Sequence, residues 1–437
     1  MADLKQLARR IFHDTLAAID IPLTMQRQLA PQGALLHCRD EIVDLRKFQK
    51  IRVVAIGKAA HAMLDGLKLC LPSGLRFEGI ASAPAAPAHP HDGMQYFAGG
   101  HPIPNEASWK AAEAILKILA DCDEHTLVIF LLSGGASALV ELPLDRRFHL
   151  ADVQHIHRAL VGSGASIEDI NAIRKHISAV KGGRLAAAAP HATKITFAVS
   201  DVPAGKEWAL ASGPTLPDPS TVSDVCKILD EHFLHDKFPE AFRHYNLQTT
   251  MPETPKPGDP AFRKSHFCLL LGLDALFHPA HGAAEATGCM TCCDNATDDW
   301  PVERAAEYLL AQLEDLRVRN PARRVAVIAD GEVSCPVTGN GVGGRNSAFV
   351  LSCVEKIAGK KIAVLSAGTD GIDGNSPAAG AVADGDTLAR ATAAGLDPRD
   401  AFQDSDAYTF FNRLGDAVIT GPTGNNLRDF RILIAEP

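Results

Sequence analysis

The chain has 437 residues, 46% hydrophobic and 22% charged, which is too long for one ordinary core and points to two α/β domains. A formal net charge of -9 with no long basic run argues against a nucleic-acid binder, and no apolar run reaches the ~20 residues that cross a bilayer. Ten irregularly spaced cysteines make no disulfide framework, and the opening Met1-Ala2-Asp3-Leu4-Lys5 lacks the apolar core of a signal peptide, so a reducing cytoplasm is the expected setting.

Leu4, Leu7, Ala8, Ile11, Phe12, Leu16 and Ile19 recur at helical spacing and predict an amphipathic opening helix. Ile51 to Ile56 reads as a buried strand ending at Gly57-Lys58-Ala59-Ala60, which places Lys58 just past its carboxyl end. Residues 81–104 are rich in Ala, Pro and Gly and read as a loop, with His101 as a ligand or, in preference, a turn residue, before a helix over 106–122. Thr126 to Leu132 is a second apolar strand, and the small turn Ser133-Gly134-Gly135-Ala136-Ser137 after it suits an anion. Ser166 resembles a helix cap, and Ile170, Ile173 and Ile177 continue one helical face, with Gly182 and Gly183 as the stop. Arg174, Lys175, His176, Lys181 and Arg184 form a dense cationic group that reads chiefly as a solvated helix face. Lys181 and Arg184 flank the double glycine, where a cation could meet a substrate carboxylate.

Lys194 to Val199 is another strand and ends at Ser200-Asp201-Val202. A boundary is expected near 258, giving an amino-terminal domain over 1–258 and a carboxyl-terminal one over 259–437. Past it, strand, helix, strand and helix over 266–271, 274–287, 289–293 and 302–316 read as a parallel βαβα unit. Cys289, Cys292 and Cys293 lack a second paired set and suit a short buried strand better than zinc.

The organising stretch is 330–346, DGEVSCPVTGNGVGGRN, between the strand Val325 to Ile328 and a helix over 347–354. Glycines at 339, 341, 343 and 344 let backbone approach an anion, and Arg345 adds a fork of donors. Lys361 to Ser366 is a further strand, and Ala417 to Thr420 reads as the last, leading to Thr423. Lys58, Ser133, Asp201, Glu332, Asp370 and Thr423 thus fall at the carboxyl ends of strands, the edge where open α/β sheets bind ligands. The set reads as a phosphate-handling cleft between two domains. Lys58 and Arg345 would neutralise a moving phosphoryl group, while Asp201, Glu332 and Asp370 would hold Mg²⁺ or accept a hydroxyl proton. Ser133, Gly134, Gly135, Ser137, Gly341, Gly343, Gly344, Asn346 and Thr423 would line the phosphates. Neither the P-loop pattern nor the protein-kinase motifs are present.

Nearly the whole chain resembles glycerate 2-kinases, the type II glycerate kinases with a carboxyl-terminal MOFRL domain (about 323–432 here), some of which carry the older label hydroxypyruvate reductase. The resemblance lies in VVAIGKAA at 53–60, GGHPIPNEAS at 99–108, LLSGGASALVELP at 131–143 and NAIRKHISAVKGGRLA at 171–186. It continues in SDV at 200–202, SGPTLPD at 212–218, GEVSCPVTGNGVGGRN at 331–346, SAGTDGIDG at 366–374 and TGPTGNN at 420–426. It implies a Rossmann-like amino-terminal domain and ATP- and Mg²⁺-dependent phosphorylation of D-glycerate at its 2-hydroxyl, with Lys58 and Arg345 matching the family's essential lysine and arginine. Pro203-Ala204-Gly205-Lys206-Glu207 departs from the acidic turn usual after SDV, as do Ser376-Pro377-Ala378 and GPTGNN from their usual forms, which bears on substrate choice. The rival readings are an NAD(P)H-dependent hydroxypyruvate reductase, with Asp370 on the ribose, and a catalytically silent binding protein. A monomer or homodimer is expected.

Overall fold

In the computed structural model, which describes residues 3–38, 41–200, 202, 205–242, 251–425 and 427–437, the chain opens with helix α1 (Leu4–Ala18), capped by the Asp3 carboxylate on the Lys5 and Gln6 amides. Its stripe of Ala8, Ile11 and Phe12 packs with Ala280, Ala284, Ile328 and Ile432. The chain divides accordingly into two units, Ile21–Gly272 and Met1–Asp20 with Leu273–Pro437.

In the 21–272 unit, α2 (Ile21–Leu29) and the hairpin β1 (Leu35–Cys38) and β2 (Glu41–Asp44) precede β3 (Lys50–Ile56), α3 (Ala60–Cys70), β4 (Glu78–Ala83), β5 (Met94–Ala98) and α4 (Glu106–Ala120). Next come β6 (Thr126–Leu132), α5 (Ala136–Leu139), α6 (Leu150–Val161), α7 (Ile167–Ile177), α8 (Arg184–Ala187), β7 (Thr193–Val199), α9 (Val222–Glu231) and β8 (Ser265–Leu271). Strands align as β5-β4-β3-β6-β7-β8, every pairing parallel. The middle strand β6, TLVIFLL, is buried along its whole length, as a parallel strand covered on both faces should be. Edge strand β5, only partly buried, lies within the stretch read as loop, because the Ala-, Pro- and Gly-rich sequence around its five residues masks it. Helix α7 stops at Ile177, before the double glycine; Gly182 and Gly183 have φ of 55° and 82° and instead lead into α8. β8 pairs with β7 and so closes this sheet, whereas the reading above placed it at the head of the second domain.

The other unit continues with α10 (Phe277–Ala286), β9 (Met290–Asp294), α11 (Val302–Arg319), β10 (Val325–Asp330), α12 (Arg345–Ile357), β11 (Ile362–Gly368) and β12 (Gly380–Asp384). It ends with α13 (Thr387–Ala393), α14 (Pro398–Gln403), α15 (Ala407–Arg413), β13 (Ala417–Val418) and β14 (Asp429–Ala435). Its order is β13-β12-β11-β14-β10-β9, with β14 antiparallel to both β10 and β11. The sheet is therefore mixed, and the last strand is β14 rather than 417–420, where only two residues pair. DFRILIA is wholly buried, but Arg431 interrupts its apolar run and hides it from pattern reading. Cys292 and Cys293, expected on a buried strand, are exposed on edge strand β9.

Candidate active site

Adjacent parallel strands β3 and β6 bring their carboxyl-terminal turns together. The Lys58 amide donates to the Gly134 carbonyl at 3.0 Å, Ser133 N–H to Ile56 at 3.0 Å, and the Ala59 amide to Ser133 Oγ at 3.0 Å. Gly57 has φ 129°, and a Cβ there would lie 2.1 Å from Ser133 Oγ, so only glycine fits this crossing. Gly135, at φ 80°, turns the chain into α5, and among the described residues no acceptor meets the amides of Gly134, Gly135 or Ala136. The structure thus brings Lys58, Ser133, Gly134 and Gly135 together at one sheet edge.

His101, read as a turn residue, belongs to this group. Its ring lies against Gly135 and the Lys58 side chain, so that a Cβ on Gly135 would stand 3.0 Å from His101 Cδ2 and 3.3 Å from Lys58 Cγ. Burial, and then the Lys58 ammonium, push its imidazolium below the ordinary range, leaving the ring neutral at neutral pH. Its sequence signals were its place in a Gly-Pro turn and in the motif GGHPIPNEAS, neither of which shows that it meets Lys58. On the other side, Ser137 Oγ shares a hydrogen bond with Ser212 Oγ at 2.9 Å, and Ser212 donates to Asn171 on α7 at 3.0 Å. Ala211 and Ser212 hold φ of 54° and 60°, strained values at a turn that the Ser212 hydroxyl ties to Ser137 and Asn171.

The cationic group is a correction. Lys175, His176 and Lys181 are 1%, 0% and 1% exposed, so they do not form a solvated face. Lys175 binds Asp218 at 3.1 Å and lies 4.3 Å over the Trp208 ring. Lys181, expected to hold a substrate carboxylate, is buried against Glu141, which also accepts from Ser178 at 2.6 Å and contacts His157 at 3.3 Å. Burial alone would raise the Glu141 carboxyl, but Lys181 and His157 hold it down to about 2. The Lys181 ammonium is thus already paired with Glu141, while Arg184, half-buried at the start of α8, has Nη2 3.3 Å from the Glu253 carbonyl. Asp201 lies outside the described residues.

The second group surrounds Arg345, the first residue of α12. Its guanidinium pairs with buried Asp429 on β14 and, at 2.8 Å, with exposed Glu332 after β10. Together the two carboxylates outweigh its burial and raise its pKa. Asp370 and Thr423 also meet: the Thr423 amide donates to the Asp370 carbonyl at 3.2 Å, and Thr423 Oγ1 to Thr369 at 2.5 Å. Asp330 and Arg431 are 1% and 0% exposed, and among the described residues Asp330 Oδ1 and Arg431 Nε and Nη2 have no hydrogen-bond partner. Burial, resisted by Arg428, raises Asp330 to about 6.

The glycine-rich loop read as a phosphate cradle is the second correction. Asn340 and Gly341 donate to Asp404, Val342 to Asp406 at 2.9 Å, and Gly343 to Asn375 at 2.8 Å. Gly344 donates to Ser347 Oγ, while the Asn346 and Ser347 amides both go to the buried Asp373 carboxylate at 2.9 and 2.8 Å. The donors assigned to phosphate at Gly341, Gly343, Gly344 and Asn346 are therefore already satisfied by the protein. Asn346 is itself buried, its Oδ1 accepting from Ser366 at 2.6 Å. Asp373 and Asp429 passed unnoticed because their partners are distant in sequence.

Residues 7–246 match the family model described as a domain of unknown function (DUF4147), and residues 325–429 match the MOFRL family. The D-glycerate 2-kinase of Thermotoga maritima is 33% identical over 88% of this chain and 90% of its own. An Agrobacterium vitis protein that carries the provisional name of a hydroxypyruvate reductase is 34% identical over 98% of this chain and 94% of its own. The crystal structure of glycerate kinase from Thermotoga maritima matches with a TM-score of 0.84 at 30% identity, covering 100% of both chains. No helix among the described residues is long and apolar enough to cross a membrane. The chain belongs to the glycerate 2-kinase family, with a DUF4147 domain followed by a MOFRL domain.

Proposed function

We propose that this protein is an ATP-dependent kinase that phosphorylates the 2-hydroxyl of D-glycerate, or of a closely related small 2-hydroxy acid, to give 2-phosphoglycerate. The observation that carries the reading is Lys58 beside the unmet amides of Gly134, Gly135 and Ala136 at the carboxyl edge of a parallel sheet. Such donors stabilise the charge that spreads over a transferring phosphoryl group. The likeness to the Thermotoga maritima D-glycerate 2-kinase supports the choice of substrate.

In this mechanism Lys58 and the amides hold the phosphoryl oxygens, with Ser133 fixing the turn and Ser137 supplying a hydroxyl, while Thr423, whose own hydroxyl donates to Thr369, shapes the turn beside Asp370. Neutral His101 packs the Lys58 stem without adding competing charge. Arg345, oriented by Asp429 and Glu332, is the second cation on the phosphates. Arg184 holds the substrate carboxylate. Asp201, which follows β7 in the sequence, takes the hydroxyl proton. Among the described residues no three His, Cys, Asp or Glu side chains are grouped to hold a metal by themselves. That suits Mg²⁺, which takes one or two carboxylates together with substrate phosphates. Asp370 fits such a ligand, whereas Glu332 is committed to Arg345. Bound with the nucleotide, Mg²⁺ would neutralise phosphate charge. We place the protein in a reducing cytoplasm, as monomer or homodimer.

The test is ADP formation with Mg²⁺ across D-glycerate, L-glycerate, tartronate and hydroxypyruvate, with phosphorus NMR to locate the ester. Glycerate-dependent ADP and a 2-phosphate are expected. Oxidation of NAD(P)H by hydroxypyruvate without ADP formation would overturn the proposal in favour of the reductase, and ligand binding with neither turnover would favour a silent homologue.

A further inference from the structure

Beside the turn Gly343-Gly344-Arg345 lies a cavity of about 350 Å³, formed entirely within the 273–437 segment. Its wall is mostly apolar, with Val302 from α11, Ala348 from α12 and Ala401 and Phe402 from α14. A three-carbon hydroxy acid is too small and too polar to fill it. A volume near the lower end of small-molecule sites, a mainly apolar lining and a few polar groups suit a flat heteroaromatic base with its sugar. Glu303, on the rim, makes no hydrogen bond or ion pair among the described residues, and a carboxylate there suits the two hydroxyls of a ribose. Arg345, the cation assigned above to the phosphates, lines the same cavity. The amides of Gly343 and Gly344, which line it, are already bound to Asn375 and Ser347.

We infer that this cavity receives the adenine and ribose of ATP, with Phe402 against the base, Glu303 on the ribose and Arg345 where the phosphates leave. The inference rests on the kinase reading for its choice of ligand. It also gives the 273–437 segment a task, nucleoside recognition, separate from the Lys58 turn.

Cys335 lines the cavity and is partly buried, while Cys292 and Cys293 on β9 are exposed and serve as internal references. The wild-type protein would be treated with N-ethylmaleimide and each cysteine followed by peptide mass spectrometry. Adenosine and ADP are expected to slow modification of Cys335 by ~10-fold or more, leaving Cys292 and Cys293 unchanged, and inorganic tripolyphosphate is not. Ala401→Trp, which puts an indole into the cavity from its wall, should raise the KM for ATP by ~10-fold or more, with the KM for glycerate and the thermal midpoint unchanged. Protection by tripolyphosphate or D-glycerate but not adenosine, or an unchanged KM for ATP in a folded Ala401→Trp protein, would overturn the inference. If the wild type forms no ADP with glycerate, the kinase reading fails, and protection of Cys335 by adenosine still decides whether the cavity binds a nucleoside.

Discussion

Two turns in this protein look alike in sequence, each a glycine-rich link from a buried strand to a helix: 133–137 after β6 and 339–346 after β10. Their amides differ. Those of Gly134, Gly135 and Ala136 find no acceptor among the described residues, whereas those from Asn340 to Gly344, with Asn346 and Ser347, are taken by Asp404, Asp406, Asn375, Ser347 and Asp373. The glycines differ too. Gly135 needs a positive φ, but Gly339, Gly341 and Gly344 do not; a Cβ at these three would come within 2.3, 2.4 and 2.3 Å of Asp404, Asp406 and Asp373. A glycine-rich loop is thus rich in glycine either for a ligand or for its own neighbours, and hydrogen-bond accounting separates the two.

The comparison breaks most sharply at Lys58. Lys58→Met should lower kcat/KM for glycerate by ~10³-fold or more, at an unchanged thermal midpoint. A midpoint that fell along with activity would make this turn structural as well. Next, Glu141→Gln leaves Lys181 buried without its counter-charge and should destabilise the protein by about 3–5 kcal/mol in urea unfolding. By the same logic a folded Lys181→Met variant keeps its KM for glycerate, and a large rise would restore Lys181 to the substrate.

Acid offers a third probe. The Glu141 carboxyl sits at about 2 when folded, below its ordinary 4.5, so its contribution is complete above pH 4.5 and lost as pH falls toward 2. On the order of 2–3 kcal/mol should disappear over that window, read from urea midpoints, and far less in Lys181→Met. The smallest effect sharpens the contrast between the turns. Gly344→Ala should lose about 1–3 kcal/mol of stability, because its Cβ meets Asp373 and Gly374, with kcat preserved in the folded fraction. Gly135→Ala, pressed against His101 and Lys58, should lower kcat by a larger factor than its loss of stability explains. Equal behaviour of the two variants would erase the distinction.

Pattern reading went far where each signal is local. The apolar runs of β3, β6, β7, β10 and β11 and the helical stripe of α1 were plain, and so was Lys58 past a strand end, because a strand covered on both faces must be apolar and a turn must be small. β14 escaped because an arginine sits inside its apolar run, and β5 because its five residues lie in Ala-, Pro- and Gly-rich surroundings that read as loop. The cationic group misled for a related reason: charge on a helix face implies solvent unless an acid distant in the chain arrives to meet it, as Glu141 and Asp218 do here.

By itself, then, the sequence determined the α/β class, the family and the strand-end position of Lys58, all set by residues close in the chain. Only the tertiary structure decided which unit receives α1 and β8, that β14 runs antiparallel in the centre of its sheet, that Lys181 is already neutralised, and which glycine-rich turn keeps its amides unbound. Each of these depends on partners brought together from distant segments, and the hydrogen bonds and ion pairs that decide them exist only once the chain has folded.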